Sequence, residues 1–226
     1  GRAIVADDMH LGLRAPNIWF RARLRYADAR APGGKVDVSG FTMPGLPAVI
    51  VGSNGHIAWG FTNSYADTAD WYQVAPCVEN NSTLPCDAVT RHQETIRVAS
   101  AEPVLLEVEE TGYGPILHHG KDGMALALRW VAQLPGAINF RLADFAVAKD
   151  LDAALVTANQ MATPAQNLVM GDSSGHIAWR IAGPLPVRSD SCNTHTLMHG
   201  TLAPDSTHAP DQTLVPAPCQ PWSIST

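Results

Sequence analysis

No run of apolar residues approaches the ~20 needed to cross a membrane as a helix, so nothing in the sequence reads as a helical span. Basic tracts are missing too. The 15 lysines and arginines are scattered among 21 acidic residues, for a net charge of −6, which gives nucleic acid no footing. Charged residues are only 16% of the chain against 46% hydrophobic, a balance that excludes disorder and fits a folded core. No two cysteines have C-x-x-C spacing, so a zinc ribbon is excluded. Ser173-Ser174-Gly175 lacks the G-x-S-x-G elbow, so an ordinary serine-hydrolase nucleophile is not visible.

What is present begins with four cysteines, Cys77 with Cys86 and Cys192 with Cys219, each pair bracketing a polar, Pro-containing loop. Two local disulfides in an oxidising compartment are the economical reading, and four reduced buried thiols are the alternative. The 226 residues can bury one good core and are few for two full domains.

The patterning centres on one stretch. Ala48 to Val51 is apolar, Ser53-Asn54-Gly55 is a turn, and His56-Ile57-Ala58-Trp59 resumes the strand pattern. Asn-Gly between β-like runs predicts a hairpin, because both residues tolerate positive φ. Gly55–Trp59 recurs word for word as Gly175–Trp179, after the turn residues Gly171-Asp172-Ser173-Ser174. Two similar hairpins in one sheet system are expected. Further strands are predicted at Ile18–Tyr26, with Arg21, Arg23 and Arg25 alternating against Ala22, Leu24 and Tyr26, and at Val36–Val38, Thr95–Val98, Val104–Glu109 and Met124–Val131. Thr111–Pro115 reads as a turn-rich loop. Ala137 to Met161 turns helical, as two helices broken near Lys149-Asp150, with Asp150 as N-cap and Leu151, Ala154, Leu155 and Ala158 as the buried stripe. After Ser189 periodicity fades into a long irregular surface segment, 189–226. Many strands with helices grouped late predict an α+β layered fold.

Several clusters could carry chemistry. Asp7, Asp8 and His10 follow an apolar strand and could bind a metal or move protons; a polar strand end with a satisfied histidine is the competing reading. Asp67 and Asp70 could share a cation through hard oxygens, or line a solvated turn. Trp59 and Trp179 read as core anchors, and His118 and His119 as surface-loop residues.

Taken in order, these segments resemble three successive blocks of one family. Gly1-Arg2-Ala3-Ile4-Val5-Ala6-Asp7-Asp8-Met9-His10-Leu11 is the first. Pro44-Gly45-Leu46-Pro47 through Gly52-Ser53-Asn54, Ile57-Ala58-Trp59-Gly60, Thr62 and Asp70 is the second. Gln166-Asn167, Asp172, Gly175-His176-Ile177, Gly183, Pro186 and Arg188 is the third. The resemblance is to the penicillin acylase (penicillin amidase) family of N-terminal-nucleophile hydrolases, and it runs along nearly the whole chain.

That resemblance implies a four-layer αββα fold in one domain, and hydrolysis of linear amides such as penicillins or N-acyl homoserine lactones. The family nucleophile is a serine whose own α-amine is the base; an amine titrating near neutral pH suits that task. Its serine would lie before Gly1 and its oxyanion-hole asparagine after Thr226, so the chain is expected to be an internal β-chain fragment, inactive alone. By the same resemblance, His10 lies near the nucleophile and the backbone N–H of Asn63 donates to the oxyanion. Leu11 and Val51 match acyl-pocket positions; aliphatic residues there favour a fatty acyl chain over phenylacetyl. Tyr113 departs from the commoner Thr-x-His-Gly-Pro form. No cofactor is required, but Asp67, the Ala69 carbonyl, Asp70 and the Pro186 carbonyl match a structural calcium site. The partners implied are a small amide substrate, an α chain and the remainder of the β chain, in the periplasm or outside the cell. The alternatives are a non-catalytic binding or structural module of the same fold and, last, a metal hydrolase.

Overall fold

Period-two patterning builds most of the chain into strands. In the computed structural model, residues 2–8, 11–12, 14–77, 86–121, 123–189, 192, 198–199, 219 and 221–225 are described. Their strands are β1 (Phe20–Ala27), β2 (Lys35–Thr42), β3 (Val51–Ser53), β4 (Ile57–Asn63), β5 (Ala69–Val74), β6 (Thr90–Ile96), β7 (Val104–Thr111), β8 (Gly114–His119), β9 (Ala125–Trp130), β10 (Gln166–Asp172), β11 (Ile177–Ala182), β12 (Pro186–Val187), β13 (Met198–His199) and β14 (Ser223–Ile224). One α-helix, α1 (Leu151–Gln160), is joined by 3-10 turns at Pro32–Gly34, Val131–Gln133 and Arg141–Val147. The chain falls into two compact units, residues 1–66 with 134–185, and residues 67–133 with 186–225.

The first unit holds an antiparallel sheet in the order β1-β2-β3-β4-β10-β11. Val36 and Val38, Ile57 and Trp59, and Leu168 and Met170 alternate inward from three of its strands and meet Phe145, Ala154 and Ala158 in one core. Each large side chain so buried is worth ~1.5–3 kcal/mol. Trp59 stacks on Phe145 at 5.2 Å between ring centroids. Asp150 caps α1 as expected, accepting a hydrogen bond from Ala153 N at 2.9 Å, but the earlier predicted helix is the 3-10 turn Arg141–Val147.

Both expected hairpins form, and they are neighbours: β4 pairs with β3 on one side and with β10 of the second hairpin on the other. The repeated tryptophans do not share a fate. Trp59 lies across from Met170, itself across from Ala178, whereas Trp179 lies across from Val169. One residue of offset in the ladder puts the second tryptophan on the opposite face, so Trp59 is 1% exposed and Trp179 64%.

The second unit holds a sheet in the order β13-β5-β9-β8-β7-β6, and β12 pairs with β14. Tyr72, Val74, Ala125 and Ala127 are its buried centre, with Tyr72 stacked on Tyr113 at 4.7 Å. Cys77 and Cys86 are bonded, with Cα atoms 5.0 Å apart, and so are Cys192 and Cys219 at 5.9 Å. Two expectations are corrected here. The loop expected at Thr111–Pro115 is a tight turn that opens β8, so His118 and His119 sit in a strand, exposed as expected. The strand expected at Thr95–Val98 begins five residues earlier, at Thr90. Its polar residues carry no period-two signal of their own and are strand because β7 pairs with each of them. Apart from residues 189, 192, 198–199, 219 and 221–225, the irregular segment expected at 189–226 lies outside the described residues.

Candidate functional site

The two repeated turns build one edge of the first unit. At the first, Asn54 is 9% exposed and its side chain binds five backbone groups. Its Oδ1 accepts from His56 N and Ile57 N, both at 2.9 Å. Its Nδ2 donates to the carbonyls of Phe145 (3.0 Å), Ala146 (3.3 Å) and Ala148 (2.7 Å). Only Gly55, at φ 84°, takes the left-handed conformation there, so Asn54 serves through its amide and not through its backbone. At the second turn Asp172 does the analogous job. Its Oδ1 accepts from Ser174 N and His176 N at 2.9 Å, and its Oδ2 lies 3.0 Å from His176 Nδ1. Burial alone would raise the Asp172 carboxyl, but these hydrogen bonds outweigh it and hold its pKa below the usual carboxylate value. Ser173 N donates to His56 O at 2.9 Å and ties the two turns together.

Across the sheet face turned away from α1 runs the N-terminal strap, residues 2–8. Ala3 N donates to Asp172 O at 3.3 Å. Gly171 and Gly60 let the strap lie close: a Cβ on Gly171 would stand 2.7 Å from Ala3 Cβ, and one on Gly60 2.9 Å from the Asp7 side chain. The strap brings Asp7 against β4 at Gly60, Asp8 is exposed, and His10 lies outside the described residues. Asn63 closes β4 opposite Gln166; its carbonyl accepts from Asn167 Nδ2 at 3.2 Å, and its Oδ1 from Tyr65 N at 3.0 Å. Leu11 is exposed, and Val51 is half-buried opposite Phe41 in β2. A shallow cleft bordered by Leu24, Val38, Val49, Trp59 and Leu142 contains none of these residues.

In the second unit Asp67 and Asp70 come together with residues that spacing did not single out. Arg188 Nε donates to Asp70 Oδ2 at 2.7 Å, and Trp222 Nε1 donates to the same oxygen at 2.6 Å. Arg188 also reaches the Asp67 carbonyl from Nη1 (3.4 Å) and Nη2 (3.3 Å), and the Asp67 carboxylate at 3.4 Å. Arg129, opposite Asp70 in β9, donates from Nε to Trp222 O at 2.7 Å and lies over the indole ring at 5.0 Å, with Arg188 at 5.5 Å. Burial lowers the Arg129 pKa from its usual high value, and burial reinforced by the Asp70 charge pushes the Tyr72 phenol up to about 12. This donor set does not fit a calcium ion. Asp70 Oδ2 already takes two N–H donors, and Asp67 faces a guanidinium. The Ala69 and Pro186 residues sit in paired strands opposite Trp130 and Ile224. No group of three or more His, Cys, Asp or Glu able to hold a metal occurs among the described residues.

The sequence profile of the penicillin amidase family matches residues 1–224. The chain belongs to the penicillin amidase family. It is 27% identical over 208 residues to the acyl-homoserine lactone acylase QuiP of Pseudomonas aeruginosa, covering 84% of this chain and 24% of that protein. To the QuiP acylase of Pseudomonas syringae pv. syringae it is 29% identical over 209 residues, covering 84% and 23%. The chain thus spans about a quarter of the length of these curated relatives. Among solved structures, a thermostable penicillin G acylase from Alcaligenes faecalis superposes with a TM-score of 0.67 at 22% identity, over 81% of this chain and 33% of that one. The penicillin amidase blocks read from sequence contained Arg188 but gave it no role, and they missed Arg129 and Trp222. The clue to Arg129 was a lone basic residue inside the apolar run Met124–Val131.

Proposed function

We propose that this chain is part of an acylase that hydrolyses linear amides to a carboxylic acid and an amine, with N-acyl homoserine lactones favoured over penicillins. The observation that carries this reading is the penicillin amidase match along residues 1–224; the QuiP relatives favour the lactone class. The likeness to penicillin G acylase supports the four-layer αββα N-terminal-nucleophile arrangement.

In this mechanism an N-terminal serine passes its hydroxyl proton to its own α-amine, and its oxygen attacks the amide carbon. The Asn63 N–H donates to the oxyanion that develops, and His10 steadies the serine and its amine. The C–N bond breaks as the departing nitrogen takes the proton, and water then cleaves the acyl ester. Leu11 and Val51 offer aliphatic surface to a flexible acyl chain. The serine matches no residue of 1–226, so this chain alone is proposed to be silent and to work with an α chain and further β-chain residues. Its two disulfides favour the periplasm or the exterior.

The test is a substrate panel on the whole protein, beside the 226-residue chain, reading release of the free amine. Medium-chain acyl-homoserine lactones should give the higher kcat/KM, and the short chain should give no turnover. A preference for penicillin G would overturn the acyl assignment. Failure to cleave any linear amide would overturn the acylase reading in favour of a binding module.

A further inference from the structure

We infer that Arg188 is the built-in cation of the Asp67–Asp70 site: its guanidinium takes the place a metal ion would fill, and this unit is held together without calcium. Charge bears on it first. Asp67 and Asp70 both meet the Arg188 guanidinium, and Arg129, the ladder neighbour of Asp70, lies over the same Trp222 ring, so the four charges sum to zero. A dication would leave two positive charges in excess; Asp67 is half exposed, but Asp70 and Arg188 are 5% and 14% exposed, and beside them surplus charge is costly.

Geometry decides it. An arginine offers a planar fork of donors that can serve a carboxylate and a carbonyl together. Arg188 uses it so, with Nε on Asp70 and both Nη atoms turned to the Asp67 carbonyl. Trp222 fixes the plane from one side. Its ring lies 5.5 Å from the guanidinium carbon and its Nε1 supplies the second donor to Asp70 Oδ2. The three pieces come from distant parts of the chain: β5 brings Asp70, the residue after β12 brings Arg188, and the residue before β14 brings Trp222. A structural metal ties distant strands in just this manner, and here the chain supplies its own tie.

Two measurements on the whole protein test this. The first is calcium titration by calorimetry, with thermal unfolding in millimolar EGTA and in millimolar calcium. No stoichiometric binding and coincident Tm values are expected. One ion bound per chain, with a raised Tm, would overturn the inference. The second compares Arg188→Gln with Arg188→Gln/Asp70→Asn. Breaking a buried pair from one side leaves a stranded charge, so the single variant should lose roughly 5 °C or more in Tm. The double variant should recover part of that loss, because the stranded carboxylate is gone. A single variant with an unchanged Tm, or a double variant no better than the single, would show that Asp70 does not depend on Arg188. Should Arg188→Gln fail to fold, the calcium titration of the unsubstituted protein still decides.

Discussion

At the scale of single residues, Asn54 carries the most. Its amide satisfies two N–H groups of its own turn and three carbonyls at the end of the Arg141–Val147 segment. Asn54→Ala leaves these groups unpaired at a buried position and should cost on the order of 3 kcal/mol, read by urea denaturation; a loss under ~1 kcal/mol, the size of one ordinary hydrogen bond, would contradict it. Asp172 makes a pH prediction. Its pKa is lower folded than unfolded, so its contribution is complete above the unfolded value of about 4 and drains away as pH falls through the native one. The Tm advantage of the natural protein over Asp172→Asn should therefore be flat at neutral pH and shrink below about pH 4. An advantage that persists unchanged into stronger acid would refute the ionic role. Asn54 was legible as a turn residue, and the Asp67–Asp70 pair as a place for a cation. Which cation was not legible, because Arg188 is 118 residues from Asp70 in sequence and no local pattern reports such a meeting.

Among elements, the strap of residues 2–8 is the one most dependent on something missing, the side chains of Gly60 and Gly171. Gly171→Val would drive a side chain into Ala3 and Val5. Overpacking of this kind should loosen the strap and speed hydrogen exchange of the Ala3 amide by roughly tenfold or more. Gly112→Ala, where nothing lies within 4 Å, should leave that exchange untouched; equal effects of the two variants would contradict the close approach. Elements with their own period were readable from sequence. The paired hairpins, the Asp150-capped helix and β7 all announce themselves by turn chemistry or alternation. β6 and β8 did not, since Thr90–Glu94 is polar on both faces and Gly114-Pro115 has the composition of a loop. Partners across the sheet decide those strands, and a sequence does not display partners.

For the whole molecule, family membership was legible because its blocks are short, ordered and spread from the N-terminal strap to Arg188. The grouping into two units was not. Each is assembled from separated stretches, with residues 134–185 returning to the first unit and 186–225 to the second. That interleaving has a kinetic consequence. Hairpins such as β6–β7 and β10–β11 close over short loops, whereas Asp70 waits 118 residues for Arg188 and 152 for Trp222. Loop entropy makes such a meeting a late event on the way to the native state. Arg188 should then act as a brake on unfolding: Arg188→Lys should speed the unfolding arm of a stopped-flow chevron and leave the refolding arm nearly where it was. A refolding rate that falls in step with the lost stability would place the clasp in the folding nucleus instead.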